Sequence, residues 1–401
     1  MTNSIRNNSN RKPRAAFVIH RFSSKPQEVI GGAEFLAYLT AKHMAKYWDI
    51  EVLTTCAKDY ITWENAYPEG VEKTDTFSIR RFKVDHRRNL KVCNALGKRI
   101  FNNAHTLEDE VKFLIAQGPY SSSLLSYIEK NKNNYDFFIF FTAIYCTTSL
   151  ALQIVPEKSY LVPTAENTPL VRLKLMEMLF NLPKGIIYLT EAEKKLINKI
   201  HHNENVPDVI TGVGIDFNNP IEPEKFRKKF NLYDDFVVYI GRVDSEKGCN
   251  LLFEYFEKYT RDEKSKLKLV VAGPEISKVP QKNTNILYLG VLSEEDKYNC
   301  LGAAKFLLQP SPYESLSIIL LEAWYAGKAV LVNGTCEVMV EHCRKANAGL
   351  WYESYEEFKE AMNYLISNAE VASKMGKNGK KYVIENYSWD KIEKKYLEFV
   401  K

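Results

Sequence analysis

Two carboxylates eight positions apart, Glu314 and Glu322, bracket a predicted helix start in Pro-Ser-Pro-Tyr-Glu-Ser-Leu-Ser-Ile-Ile-Leu-Leu-Glu-Ala-Trp-Tyr-Ala-Gly-Lys, residues 310–328. The apolar run 306–309 reads as a buried strand, and Pro310 and Pro312, which have no N–H to give a ladder, force a turn after it. The helix is expected over 317–326 and ends at Gly327, the residue type that a left-handed cap favours. Its start directs the N–H groups of Ser315, Leu316 and Ser317 outward, and the helix dipole adds to them, which makes an anion site. Glu314, at the mouth, is placed to hold sugar hydroxyls. Glu322, about two turns down, is placed to accept hydrogen bonds from a ribose. The plain alternatives are a solvated loop residue and an exposed helix residue. For Glu322 the second is disfavoured by Leu320, Leu321, Ala323 and Trp324, because an unpaired carboxylate on an apolar helix is costly.

A second phosphate-type element is Gly241-Arg242-Val243-Asp244-Ser245-Glu246-Lys247-Gly248, which follows a predicted strand over 236–240 and opens a helix. Arg242 can grip a phosphate bidentately and Lys247 adds a point charge, both at the carboxyl edge of a parallel sheet, where open α/β folds bind ligands. Alone, such a loop is ordinary basic surface; beside the 315–317 anion site it reads as a diphosphate clamp. No Walker A spacing exists, which excludes a P-loop NTPase. No acid pair sits at a strand end, so a metal is not needed to neutralise the phosphates. Gly31-Gly32 opens another helix after a first strand over 15–20; it lacks dinucleotide-fingerprint spacing, and it reads either as a plain turn or as a close approach to a ligand.

Strands must hold these loops. Continuous apolar runs are expected as strands over 15–20, 50–54, 77–82, 137–141, 159–163 and 185–189, then over 236–240, 267–272, 286–289, 306–309 and 329–332. Helices lie between them, including 106–116, 121–131 and 354–367, the last with a Ser354 to Glu357 capping box. Strand–helix alternation implies doubly wound parallel sheets. Residues 56–76 are expected as a long functional loop and 1–13 as disordered. The glycine-punctuated run 209–216 and the polar stretch after it place a boundary between a first domain, 14–210, and a second, 211–385, with a last helix in 386–401.

Two domains are also the default for 401 residues. The seven cysteines are scattered, form no CxxC pair and show no zinc spacing, which suits a reducing cytoplasm. The polar N-terminus has no apolar signal core. Residues 137–155 are nearly long enough to span a bilayer, but their Thr, Ser and Gln content reads as a strand and a small-residue helix. The net charge of +5 is concentrated: eight Lys or Arg against one acid lie in 80–99. That patch is either a solvated loop face or an attraction for an anionic membrane surface or lipid-pyrophosphate acceptor. No nucleic-acid motif accompanies it.

Together, G-R-x-x-x-E-K-G at 241–248, the Glu314 and Glu322 spacing and the Gly-Gly loop after the first strand resemble the retaining glycosyltransferases of family four. Those have the GT-B fold, two Rossmann-like domains facing across a cleft. The similarity covers nearly the whole chain, including Tyr387-Ser388-Trp389, where in that family the C-terminal helix crosses back to the first domain. It implies a metal-independent transferase with a nucleotide-diphosphate sugar as donor and no cofactor. By the same resemblance Arg242 and Lys247 would bind the diphosphate and Glu322 the ribose. Glu314, with the backbone of Ser315, Leu316 and Ser317, would hold the sugar and distal phosphate. Gly31 and Gly32 would line the phosphates, and Gly290-Val291-Leu292 would flank the base. The stretches Cys336-Glu337-Val338 and His342-Cys343 are similar to members from bacterial surface-polysaccharide clusters, implying O-antigen or capsule synthesis on a glycan or lipid-linked acceptor. One departure stands out. Glu166-Asn167-Thr168 lies where relatives often have His-Asp-Glu, so Glu166 takes the place of the family's active-site His. A carboxylate accepts from sugar hydroxyls but presents no N–H. The departure implies an altered donor sugar or lost catalysis, and the second expectation is therefore a degenerate nucleotide-sugar-binding or scaffold member.

Overall fold

The computed structural model describes residues 11–25, 31–280 and 283–401. Among these, two sheets form. The first contains β1 (Arg14–Val18), β2 (Asp49–Thr55), β3 (Gly70–Lys73), β4 (Ser78–Phe82), β5 (Phe137–Phe141), β6 (Ser159–Val162), β7 (Gly185–Tyr188) and β8 (Asp208–Ile210). Their spatial order is β3-β4-β2-β1-β5-β6-β7-β8. The second contains β9 (Phe236–Ile240), β10 (Lys268–Ala272), β11 (Ile286–Tyr288), β12 (Leu307–Gln309), β13 (Val330–Asn333) and β14 (Gly349–Tyr352), in the order β11-β10-β9-β12-β13-β14. Every pairing is parallel except β3 with β4. Helices cover both faces, which is why β5, Phe-Phe-Ile-Phe-Phe, is buried at every position.

The strand order puts a topological switch point at β1/β5 in the first lobe and at β9/β12 in the second, and ligands bind in the crevice outside such points. The loops after β9 and β12 are the two predicted phosphate elements, 241–248 and 310–317. The fold is therefore GT-B, as expected.

The chain crosses between lobes twice, at 211–222 and at the last helix, Trp389–Phe399. The crossings touch: Ile215 N–H donates to Tyr387 O at 2.8 Å. A Cβ on Gly212 would strike the Tyr387 ring and one on Gly214 the Trp389 ring, so this linker needs glycine at both positions. Trp389 stacks on His43 at 3.7 Å, and Glu393 accepts from Lys46 at 2.7 Å and Tyr47 at 2.9 Å. The last helix thereby sits on the first lobe.

Several expectations need correction. The stretch 56–76 is not all loop, because Gly70–Lys73 pairs antiparallel with β4 as an edge strand. The basic stretch is partly helical: Asn89 accepts from the N–H groups of Lys91 and Val92 and starts a helix at Leu90–Asn102. The small-residue helix after β5 is one turn, Cys146–Ser149. Strand β14 and the helix Ala369–Asn386 were not foreseen. Residues 1–10 of the arm expected to be disordered lie outside the described residues, while Arg11 pairs with Asp136 at 3.1 Å and Lys12 donates to Ala45 O at 2.8 Å. Among the described residues, no helix is long and apolar enough to cross a membrane.

Candidate active site

Strand β9 ends at Ile240, just before Gly241, and Tyr239 donates its hydroxyl to Arg242 O at 2.7 Å, fixing the loop's exit. Asp244 then organises the turn. Its Oδ1 accepts Glu246 N–H at 3.0 Å, and its Oδ2 pairs with Arg242 Nε at 2.9 Å. The turn closes at Gly248, φ +74°, where a Cβ would lie 2.4 Å from Pro310 O. Glycine there lets the loop after β9 press against the loop after β12. That second loop is held by Asn333 Nδ2 donating to Pro310 O at 2.9 Å and by Ser311 Oγ donating to Tyr313 O at 2.8 Å.

This contact brings the predicted residues together. Lys247 Nζ lies 3.0 Å from Glu314 Oε1, 3.3 Å from Tyr313 O and, across the cleft, 3.8 Å from Glu166 Oε1. Burial opposes the Lys247 charge, but Glu314 and Glu166 outweigh it and hold its pKa above the usual lysine range. Burial also pushes Glu166 up to about 7, with Lys247 pulling the other way and Glu314 adding to the rise. The Glu166 side chain still keeps 36% of its surface open, so it faces the cleft.

The helix after β12 is Ile318–Tyr325, and no side chain caps it. Ser317, at φ +66°, turns the backbone into it through a left-handed conformation that a serine adopts at some strain. The first lobe touches this start, since Thr190 donates its hydroxyl to Ser315 O at 3.2 Å. The uncapped N–H groups and the dipole leave an anion site there.

Other predicted residues lie apart from this cluster. Glu322 is buried, with Lys297 Nζ at 2.7 Å and Tyr298 Oη at 3.3 Å, both on Oε1. Burial raises its pKa while Lys297 opposes. Gly31 caps the helix Gly32–Met44 in extended geometry, and Glu34 folds back over Gly31. Glu34 pairs with Arg21 and with His20 Nε2, the latter at 3.1 Å. Burial opposes that charge, but Arg21 and His20 hold the carboxyl well below its usual range. Gly32 faces open space. The same helix reaches the second lobe through Phe35, whose ring centre is 5.7 Å from Lys297 Nζ. Val291 is exposed beyond β11, after Gly290 accepts Gly273 N–H at 2.8 Å.

Sequence reasoning missed Lys297, Tyr60, Asp244 and Glu193. Asp244 had a signal, an Asp two residues before the N–H it caps. Glu193 had one too, three residues after the cap Thr190; it accepts Leu189 N–H at 2.7 Å and Ala165 N–H at 2.6 Å, and so fixes the loop that carries Glu166. Lys297 and Tyr60 are brought in by tertiary contacts and had none.

Residues 220–382 match the family described as Glycosyl transferases group 1. The match lies within the second lobe. It holds Arg242, Lys247, Glu314 and Glu322, so the clamp lies wholly inside the matched region. Relatives of the chain include an uncharacterized glycosyltransferase of Methanocaldococcus jannaschii, 26% identical over 45% of this chain and 48% of that protein. Another is the lipopolysaccharide 1,2-N-acetylglucosaminetransferase of Salmonella typhimurium, 26% identical over 44% and 51%. The matched stretches thus span about half the length of these curated relatives. Among solved structures, sucrose-phosphate synthase from Thermosynechococcus elongatus aligns with TM-score 0.72 at 14% identity, covering 97% of this chain and 98% of that one. Anabaena HepE, solved in complex with UDP-glucose, aligns with TM-score 0.68 at 14% identity, covering 96% and 98%. At that identity these two show the fold, and with it the two-lobe frame around the matched stretch.

Proposed function

We propose that the chain is a retaining glycosyltransferase that moves a sugar from a nucleotide-diphosphate sugar to a glycan or lipid-pyrophosphate-linked acceptor, in the cytoplasmic synthesis of a bacterial surface polysaccharide. The observation that carries this reading is Lys247. Its single ammonium stands between Glu314 of its own lobe and Glu166 of the opposite one, in the matched stretch beside Arg242 and an uncapped helix start. A diphosphate entering here meets two cations and a helix dipole, a set that neutralises it without calling on a metal. The UDP-glucose in a protein of the same fold and the lipopolysaccharide role in a relative's name support the donor and the pathway class.

In this mechanism the bond from the anomeric carbon to the diphosphate oxygen breaks. Arg242, Lys247 and the 315–317 backbone stabilise the charge that grows on the leaving group, and such preorganised electrostatics are usually the largest catalytic contribution. The acceptor hydroxyl attacks from the face the diphosphate leaves, its oxygen bonds the anomeric carbon, and its proton passes to a phosphate oxygen. Glu314 and Glu166 hold sugar hydroxyls. The helix Leu90–Asn102 exposes Lys91, Lys98 and Arg99 beside Leu90, Val92 and Phe101, a mixture suited to peripheral contact with an anionic membrane carrying the acceptor.

The test is a thermal-shift panel of UDP, GDP, dTDP and ADP, followed by transfer assays with the sugar nucleotides of whichever base binds. A nucleotide at 100 times its dissociation constant adds about 2.7 kcal/mol of apparent stability. No shift and no transfer with any of them would overturn the proposal. Tight binding without transfer would favour the degenerate member, a reading supported by Glu166 in place of the family's His.

A further inference from the structure

Arg242 is held by a residue of the opposite lobe. Tyr60 lies on the tip of a turn between β2 and β3, and its ring centre is 4.8 Å from the Arg242 guanidinium carbon. The Tyr60 hydroxyl donates to Asp244 Oδ2 at 3.3 Å, the oxygen that also pairs with Arg242 Nε. One tyrosine from the first lobe thus touches both the predicted phosphate-binding arginine and the carboxylate that orients it. The guanidinium carbon of Arg21, from the first lobe, lies 5.4 Å from the same ring.

The turn that carries Tyr60 is built to stay put. Asp59 Oδ1 accepts the N–H groups of Ile61 and Thr62 at 2.8 and 2.7 Å, an Asx turn. Arg21 Nη1 donates to Lys58 O and Arg88 Nη1 to Tyr60 O, each at 3.0 Å. Arg88 N–H donates to Thr62 O at 2.8 Å, and the next residue, Trp63, is buried with its indole N–H on Gln117 O at 2.6 Å. Arg21 is itself tied to the buried Glu34. A rigid first-lobe platform therefore presents an aromatic face to a second-lobe cation.

Geometry fixes what this does to Arg242. Its Nε lies 2.9 Å from Asp244 Oδ2 as a charge pair without a hydrogen bond, and the Tyr60 ring limits rotation of the guanidinium plane. The outer nitrogens are left to the cleft, with Nη2 3.5 Å from the exposed Glu246 carboxylate. A planar fork held at one edge and along one face presents its remaining edge for bidentate contact with a phosphate. Because ring and cation belong to different lobes, the arrangement exists only when the lobes are this close.

We infer that Tyr60 is a positioning residue that presets Arg242 for the donor diphosphate and makes completion of the phosphate clamp conditional on lobe approach. The inference rests on the diphosphate-donor reading above. It separates recognition of the nucleoside, whose predicted contacts Glu322 and Val291 lie on the second lobe, from recognition of its phosphates, which needs both lobes.

The experiment compares wild type, Tyr60→Ala and Tyr60→Phe by calorimetry, using UDP, GDP, dTDP and ADP, each against its own nucleoside. Loss of a cation–π contact of this type predicts diphosphate binding weaker by about 2-fold to about 30-fold in Tyr60→Ala. Nucleoside affinity stays unchanged, which also shows that the variant is folded. Tyr60→Phe keeps the ring and recovers most of the diphosphate affinity. Equal weakening for nucleoside and diphosphate would make Tyr60 a mere prop and overturn the inference, as would unchanged diphosphate affinity in Tyr60→Ala. Those outcomes leave the donor reading standing. Absence of diphosphate binding in wild type would remove both.

Discussion

Lys297 places its ammonium 2.7 Å from Glu322 Oε1, both side chains nearly enclosed, and so supplies the partner that an acid on an apolar helix requires. Tyr298 donates to the same oxygen at 3.3 Å. Removing one member of such a buried pair leaves an uncompensated charge. Lys297→Met should therefore destabilise the chain by about 3–5 kcal/mol, read from urea unfolding. A loss below about 1 kcal/mol would mean that the pair is solvated in solution.

The clamp predicts a kinetic signature. Arg242→Ala and Lys247→Ala should each lower turnover by ~10²-fold or more, the scale seen when one preorganised donor to developing charge is removed. Circular dichroism would confirm the fold in each variant. Turnover within a few-fold of wild type would remove the assigned cations from the chemistry.

Two carboxyls set a pH dependence. Burial pushes Glu193 up to about 8, against the backbone N–H groups of Leu189 and Ala165, and pushes Glu166 up to about 7. Unfolded glutamates titrate near 4.3. Between roughly pH 5 and pH 8 the folded chain keeps protons on these two carboxyls that the unfolded chain has released, so their contribution to stability falls as pH rises; below about pH 6.5 His342, lowered by burial to about 4, and His20 and His201, lowered likewise, contribute the opposite slope. Urea midpoints at half-unit intervals should decline between about pH 6.5 and pH 8, less steeply in Glu193→Gln. A wild-type profile that is flat or rises between about pH 6.5 and pH 8 would contradict the assignment. Diphosphate affinity should fall in the same window as Glu166 gains charge beside Lys247, and Glu166→Gln should remove that part of the fall.

Gly248 tests the join between the two donor loops. Its φ of +74° and the 2.4 Å approach to Pro310 O leave no room for a side chain. Gly248→Ala should cost more than about 1 kcal/mol of stability and weaken nucleotide-diphosphate binding, since it pushes Lys247 away from Glu314. Unaltered binding would show that the loops need not touch.

The local grammar was legible. Strands β5 and β9 fall where their apolar runs begin and end, and Gly327 takes the left-handed conformation expected after the helix Ile318–Tyr325. Where the reading failed, local signals were weak. Gly70–Lys73 is a polar edge strand that gains its identity from pairing with β4, and the helix Leu90–Asn102 was hidden by its charges. Glu322 was singled out for being an acid among apolar neighbours, but the sequence did not show that Lys297, from another helix, already answers it.

By itself the sequence determined doubly wound parallel sheets, two glycine-bounded loops at the carboxyl edge of the second sheet and the residue types those loops carry, while the GT-B arrangement was implied by the family resemblance. These depend on apolar periodicity, missing N–H groups at proline and glycine conformations, all properties of adjacent residues. Only the tertiary structure decided which charges meet: Lys247 with Glu314 across two loops and Glu166 across two lobes, Glu322 with Lys297, and Arg242 with Tyr60. Electrostatic and aromatic contacts act over a few ångströms, and which side chains come that close is set by strand order and by the double crossing of the chain at Gly212, Gly214, Tyr387 and Trp389.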